Sequence, residues 1–336
     1  MPGTVRPGSV HLMEGRRARN GRRGYRRAVR LRSQQRGVVA VIGTLLALLL
    51  FFALFGIFLT QYLPLWMSDN EVQFTSEAQQ SMASLQSYIN VQYQLGRPAA
   101  IAVPFTMQSD AVPLLSQPTG AQLAFTPATP GVFACISVTS PALCTAPIAG
   151  EHALYNISLG TLQMQLGNRY YPPQTFEFED DAVIQSQGPN SQLVDFPPLL
   201  SLNTVGGALN VTMALLQFYG NATTTVASGT QDVFSHYKFT EPYYEDHPSG
   251  FNLTFEVGTD FPCAWQTFLS QLAINAGLVY SIGYSLLAGG NPISPTTACS
   301  YVSSLNPTDV IFTLHAATRL NLLFAGTQLT IGIGGS

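Results

Sequence analysis

From Gly37 to Thr60 the chain reads GVVAVIGTLLALLLFFALFGIFLT, 24 residues without a charged side chain. As an α-helix rising about 1.5 Å per residue, this segment is roughly 36 Å long, enough to cross a hydrocarbon layer about 30 Å thick. A core helix of a soluble domain keeps a polar face, and this segment has none. Tyr62 and Trp66 follow it, and amphipathic rings favour the headgroup layer. The first expectation is therefore a single transmembrane helix over residues 38–60.

Charge gives that helix a direction. Of fifteen basic residues, eleven are arginines within residues 1–36 (among them Arg27, Arg30, Arg32 and Arg36), opposed there only by Glu14. Beyond residue 67 the balance reverses, with Arg97, Arg169, Lys238 and Arg319 against seventeen acids. Basic residues beside a span stay in the cytoplasm, which predicts an N-terminus inside and a C-terminal domain outside. The tail also suits anionic headgroups, so the lipid bilayer is the first partner expected. A cleaved secretory signal fits less well, because QYLPLWMSDNE after Thr60 offers no small-x-small site.

The stretch RGVVAVIG, Arg36 to Gly43, resembles the processing site and helix start of archaeal type IV pilins and pilin-like surface proteins. The resemblance implies cleavage by a prepilin peptidase after Gly37, with Arg36, Gly37 and Val38 as processing residues and Val38 as the mature N-terminus. It implies contact with other pilin-like subunits through the apolar helix. Bacterial pilins carry Glu at the fifth mature position, which is Ile42 here. The stretch from Tyr62 to Ile89 is similar to the helical stem of archaeal anchored proteins with β-rich outer domains.

The residues of that stretch predict a helix by themselves. Phe74, Ala78, Met82, Leu85 and Ile89 fall on one face, Pro64 should kink the chain near the membrane, and Gly96 with Pro98 should stop the helix near Leu95. Residues 61–96 are thus expected as a stem, able to pack on copies of itself or to hold a head away from the membrane.

After Pro98, short runs rich in Val, Ile, Thr, Phe and Tyr alternate with Pro and Gly. This predicts a mainly β head over residues 97–336, sandwich-like, with one helix over Pro262 to Ala276 and an apolar turn near Tyr280 to Leu287. The breaker-rich stretch Gln185 to Asn203 is a long loop or a linker dividing the head near residue 200. The expected fold class is therefore a transmembrane helix and stalk followed by a β-sandwich-like extracytoplasmic head.

All four cysteines lie in the expected outer part, which predicts two disulfides. Three pairings are open; the local pairs Cys135–Cys144 and Cys263–Cys299 are preferred. Asn156, Asn210, Asn221 and Asn252 head Asn-x-Ser/Thr triplets and are glycosylation candidates. Glu177, Glu179, Asp180 and Asp181 offer calcium-type oxygens, but without a spaced loop they read as a solvated acidic turn. Asp246 and His247, near Glu241 and Glu245, read as surface rather than as a transition-metal site.

No GxSxG elbow, P-loop, dinucleotide fingerprint or HExxH occurs. With four cations in the outer part, nucleic acid is not an expected partner. The reading is a non-enzymatic structural or interaction protein, with no cofactor and no metal site. The alternative is a tethered carbohydrate- or ligand-binding module using Tyr243, Tyr244 and Trp265; a surface hydrolase ranks last. Charged residues are only 10% of the chain, and a surface poor in ionisable groups should hold its stability in acid.

Overall fold

The computed structural model describes residues 39–96, 100–127, 132–138, 155–189, 191–294, 299 and 308–332. The chain divides into two compact units at Pro64/Leu65. In the first, residues 39–57 form helix α1, whose large apolar side chains are exposed, from 38% at Phe55 to 69% at Val39. Phe51, Phe55, Phe58 and Tyr62 stack in sequence along one stripe. Before Pro64, where a kink is expected, the helix contains a π turn over Phe58–Tyr62, in which the Leu63 N–H donates to the Phe58 carbonyl. Proline has no N–H for the regular ladder, and a wider turn before it accommodates the loss.

Helix α2 follows as Leu63–Leu95 and ends at Gly96, whose φ of +58° supplies the left-handed residue that terminates helices. Its face of Phe74, Ala78, Met82, Leu85 and Ile89 is buried against strands of the second unit. The stem expected over 61–96 is therefore no free stalk from Leu65 onward. Its apolar stripe is covered by the chain's own sheets, so the contacts divide the protein at residue 64 rather than 96.

The second unit is mainly β. A six-stranded antiparallel sheet contains β2 (Ala121–Thr126), β5 (Thr161–Leu166), β6 (Gln174–Glu179), β7 (Ala182–Ser186), β8 (Gln192–Phe196) and β11 (Thr223–Val226). The larger, nine-stranded sheet includes β1 (Ala100–Thr106), β3 (Phe133–Ser137), β4 (Tyr155–Ser158), β9 (Leu200–Val205) and β10 (Ala208–Tyr219). Its spine is an antiparallel ribbon of β12 (Thr230–Thr259) and β15 (Thr308–Gly332), edged by β13 (Tyr284–Ala288) and β14 (Asn291–Pro292).

Alternation along the central strands separates two cores. On β10, Val211, Met213 and Leu215 face a core with Trp265, Leu269 and Ala273 of helix α3 (Pro262–Asn275). The residues between and beyond them, Ala214, Leu216 and Phe218, face the core built on α2. β15 repeats the pattern: Leu320, Leu322 and Phe324 join the α3 core, Ala325 and Leu329 the α2 core. Successive strand side chains point to opposite faces, so strands apolar at nearly every position must be covered on both.

Two expectations change here. Gln185 to Asn203 is no linker: it holds the end of β7, all of β8 and the start of β9, its Gly and Pro residues marking turns. The apolar turn near Tyr280 to Leu287 contains strand β13, with Tyr284 and Leu286 buried.

Candidate functional site

The acidic run from Glu177 to Asp181 closes the β6–β7 hairpin, and its solvated reading is overturned, since all four carboxyls are buried. Glu179 pairs with Ala182, leaving Asp180 and Asp181 as a two-residue turn with φ of 43° and 61°. Tight hairpins need positive φ at both central positions, normally supplied by Asn or Gly. Aspartates take this strain because their carboxyls find donors inside the fold.

Those donors come from elements far apart in sequence. Leu216 N–H of β10 donates to Asp180 Oδ1 at 3.1 Å. Asp181 Oδ2 accepts from Leu199 N–H at 2.9 Å and from the Tyr93 hydroxyl of α2 at 3.1 Å. With its amide turned to donate, Asn90 reaches Asp181 Oδ1 at 2.6 Å. Gln86 Nε2 donates to the Asp181 carbonyl and, at 2.9 Å, to that of Pro197. On the other side, Glu179 Oε1 accepts from Trp265 Nε1 at 2.6 Å and Thr259 Oγ1 at 2.5 Å. The hairpin thus ties α2, β10 and α3 together, fastening both cores.

Among the described residues no cation is paired with these acids. Among the described residues the carboxylate–cation pairs are Arg319–Asp246 at 3.2 Å and His247–Glu245, both away from the hairpin. Burial therefore pushes Glu177 up to about 8, helped by the charge of Glu179, and Glu179 itself up to about 7. Burial raises Asp181 to about 7 against the pull of its Leu199 and Tyr93 hydrogen bonds, and holds Asp180 well above the ordinary carboxylate range. Glu256 on β12 is raised to about 7 by burial and by Asp309, and neither of its carboxyl oxygens has a hydrogen-bond partner. Below neutrality these groups are protonated and serve as neutral hydrogen-bonding struts. Among the described residues no group of three or more His, Cys, Asp or Glu is placed to hold a metal.

The remaining candidates scatter. Arg36, Gly37, Val38 and Cys144 lie outside the described residues. Cys263 and Cys299 are disulfide-bonded, with Cα atoms 5.5 Å apart, as expected. Cys135 is also disulfide-bonded. Asn156, Asn221 and Asn252 are exposed; Asn210 is half-buried between β9 and β15, its Oδ1 enclosed without a partner.

The aromatic patch expected for a sugar-binding module does not form. Trp265 is fully buried, Tyr243 packs towards the α3 core, and Tyr244, its strand neighbour, is exposed. Asp246 accepts from Arg319 and Tyr244, while His247 pairs with Glu245.

No protein-family model, no curated protein and no solved structure matches this chain. At the site, sequence reasoning missed the burial of this hairpin. No local signal gives it: the alternation of Phe176 and Phe178 with Glu177 and Glu179 reads as a strand with one wet face, yet both faces of β6 are buried.

Proposed function

We propose that this chain is a membrane-anchored, non-enzymatic surface protein of archaeal pilin-like kind, crossing the bilayer once with its arginine-rich end in the cytoplasm. The observation that carries this reading is the contrast within the helical stretch Val39–Leu95. Its apolar N-terminal part is long and apolar enough to span a membrane, and its side chains are exposed on every side. Leaving some nineteen residues of such surface in water would be costly at about 25 cal/mol per Å², so they call for a lipid solvent or an apolar partner. Disulfides and exposed sequons in the second unit fit an oxidising exterior.

The acidic hairpin serves this reading as structure. Its carboxyls hold the two cores of the sandwich-like head together and lie inside packed protein, where no substrate reaches them. Placed in the helix core of a filament, copies of α1 would pack side by side; unassembled, each would anchor its own head.

Two measurements on native membranes test the reading. Protease added to whole cells should degrade residues 100–336 while sparing the span. Mass spectrometry of the mature N-terminus should find Val38; retention of residues 1–37 would reduce the pilin-like reading to a plain single-span anchor. A chain found wholly in the soluble fraction would end both.

A further inference from the structure

The side of the second unit that lies beside the first turns of α2 carries two loops whose chemistry suits a lipid surface. Hydrogen bonds fix their level along the helix. β1 starts near the helix C-terminus, where Ile101 pairs with Ser235, whose carbonyl accepts from Gln92. It then descends: Ser81 Oγ donates to the Pro104 carbonyl at 3.0 Å, and Asn70 Nδ2 to the Asp110 carbonyl at 3.1 Å. The loop after Asp110 returns at Ser116, whose Oγ donates to Met67 Sδ at 2.8 Å. The tip between them, Ala111 to Leu115, therefore sits level with Met67 or beyond it towards the helix N-terminus.

That tip is apolar and unprotected. Leu114 is fully exposed and Leu115 is exposed beside it, in the sequence AVPLL. Leu114 has a φ of +66°, a left-handed backbone in which leucine is disfavoured and Gly or Asn is usual. A strained position that holds its largest apolar group away from the protein points to something outside the protein that receives it.

The second loop is pinned at the same level. The buried carboxylate of Glu71 accepts the N–H groups of Arg169, Tyr170 and Tyr171, the last two at 2.7 Å. This clamp leaves Arg169 and Tyr170 exposed beside α2. Leu65 and Trp66, exposed on α2 itself, complete the set. Aromatic rings and an arginine around apolar tips are the residues that favour the boundary between headgroups and acyl chains. Two exposed acids, Asp69 and Asp110, flank these residues along the chain.

We propose that the loop tips at Leu114–Leu115 and Arg169–Tyr170 form a lipid-contacting foot that, with Leu65 and Trp66, seats the head directly on the bilayer. The proposal rests on the membrane-anchored reading and adds a second, independent lipid contact to it. Leu114 and Leu115 then enter the acyl boundary, and Arg169 pairs with a lipid phosphate.

The test uses the full-length chain in phosphatidylcholine–phosphatidylglycerol vesicles. An environment-sensitive fluorophore is attached at Leu114→Cys, and, as control, at Ile282→Cys. Ile282 is likewise apolar and exposed, but lies in the segment leading to β13, whose Tyr284 and Leu286 belong to the α3 core rather than the α2 core. The Leu114 probe should shift to shorter wavelength, and nitroxide-bearing lipids should roughly halve its emission, as for groups about 5–10 Å into the interface. The Ile282 probe should do neither. If the chain floats with the vesicles but the Leu114 probe stays unquenched, the foot is wrong and the anchor stands. A chain that does not float defeats the anchor and the foot together. A shift that grows with protein density and ignores the nitroxide lipid assigns the tip to a second copy of the chain and overturns the proposal.

Discussion

Helical hydrogen bonding covers 57 residues, Val39–Leu95, yet its two stretches place their apolar side chains differently. In α1 apolar residues occupy every side, and the rings of Phe51 and Phe55 stack in the open. In α2 they recur every three or four residues, and the stripe they form is buried by the chain's own strands, with Phe74 at 2% exposure. Polar residues on α2 have assigned tasks: Gln86 bonds to the hairpin, Glu71 clamps a loop, and Gln92 donates to Ser235. The number of apolar residues matters less than their period. A periodic stripe finds a partner within the molecule, whereas an unbroken apolar cylinder must find one outside it.

The largest effect that tests this contrast is in the buried stripe. Phe74→Ala should lower the unfolding free energy of the second unit by about 3–5 kcal/mol, through lost transfer energy and an unfilled cavity. Phe51→Ala in α1 should leave it within about 0.5 kcal/mol. Denaturant titration of the full chain in detergent measures both; equal losses would mean that the two stretches share one environment.

The reverse experiment charges the cylinder. Leu48→Arg should disfavour membrane insertion by about 2.5–3.5 kcal/mol, the cost of arginine near a helix centre. Val72→Arg, on the exposed side of α2, should leave insertion unchanged. An insertion assay with glycosylation tags reads both, and indifference to Leu48→Arg would remove lipid as the solvent of α1.

How much of this was legible follows from where each partner lies. The stripe from Phe74 to Ile89, the strand runs at Ala100, Gln122 and Thr223, and the helix at Pro262 are local patterns, and the structure contains them. β12 is one long strand although the polar, Pro- and Gly-containing stretch Glu241–Gly250 interrupts its apolar alternation without ending its ladder with β15. β8 and β9 were hidden by Gly188, Pro197 and Pro198, which punctuate short strands as readily as they open a linker. The acidic hairpin was least legible. Glu179 Oε1 and Asp181 Oδ2 accept from Trp265, Thr259 and Tyr93, 80 to 88 residues away along the chain, and nothing local announces them.

That hairpin gives a pH signature found in the β unit and absent from α1, which has no ionisable group. Glu177, Glu179 and Asp181 have folded-state values raised to about 7–8, above the ordinary carboxylate range of about 4, and Asp180 is raised in the same direction. Folding therefore binds protons, and the stability from these groups is complete below about pH 4 and lost as pH rises through 7–8. Each group contributes a slope of at most about 1.4 kcal/mol per pH unit. Thermal unfolding should thus show a midpoint that falls from pH 5 to pH 8. Glu179→Gln should flatten that fall, since the amide oxygen still accepts from Trp265 and Thr259 while no charge can form. A midpoint that instead rises over the same range would show that the carboxyls are ionised and paired in the folded state.

The smallest effect isolates the contact between α2 and the hairpin. Tyr93→Phe keeps the ring in the α2 core and removes one donor to Asp181 Oδ2, which retains the Leu199 N–H at 2.9 Å. Because the acceptor is not orphaned, the loss should be about 0.5–1.5 kcal/mol rather than the full penalty for an unsatisfied buried group. It should also be larger at pH 8 than at pH 5, because the lost hydrogen bond is stronger to the ionised carboxylate than to the neutral acid. Unfolding of Tyr93→Phe at both pH values, alone and combined with Asp181→Asn, gives the coupling directly. A coupling equal at the two pH values would leave Asp181 in one protonation state throughout, and would shift the pH-dependent part of the fold's stability onto Glu177 and Glu179.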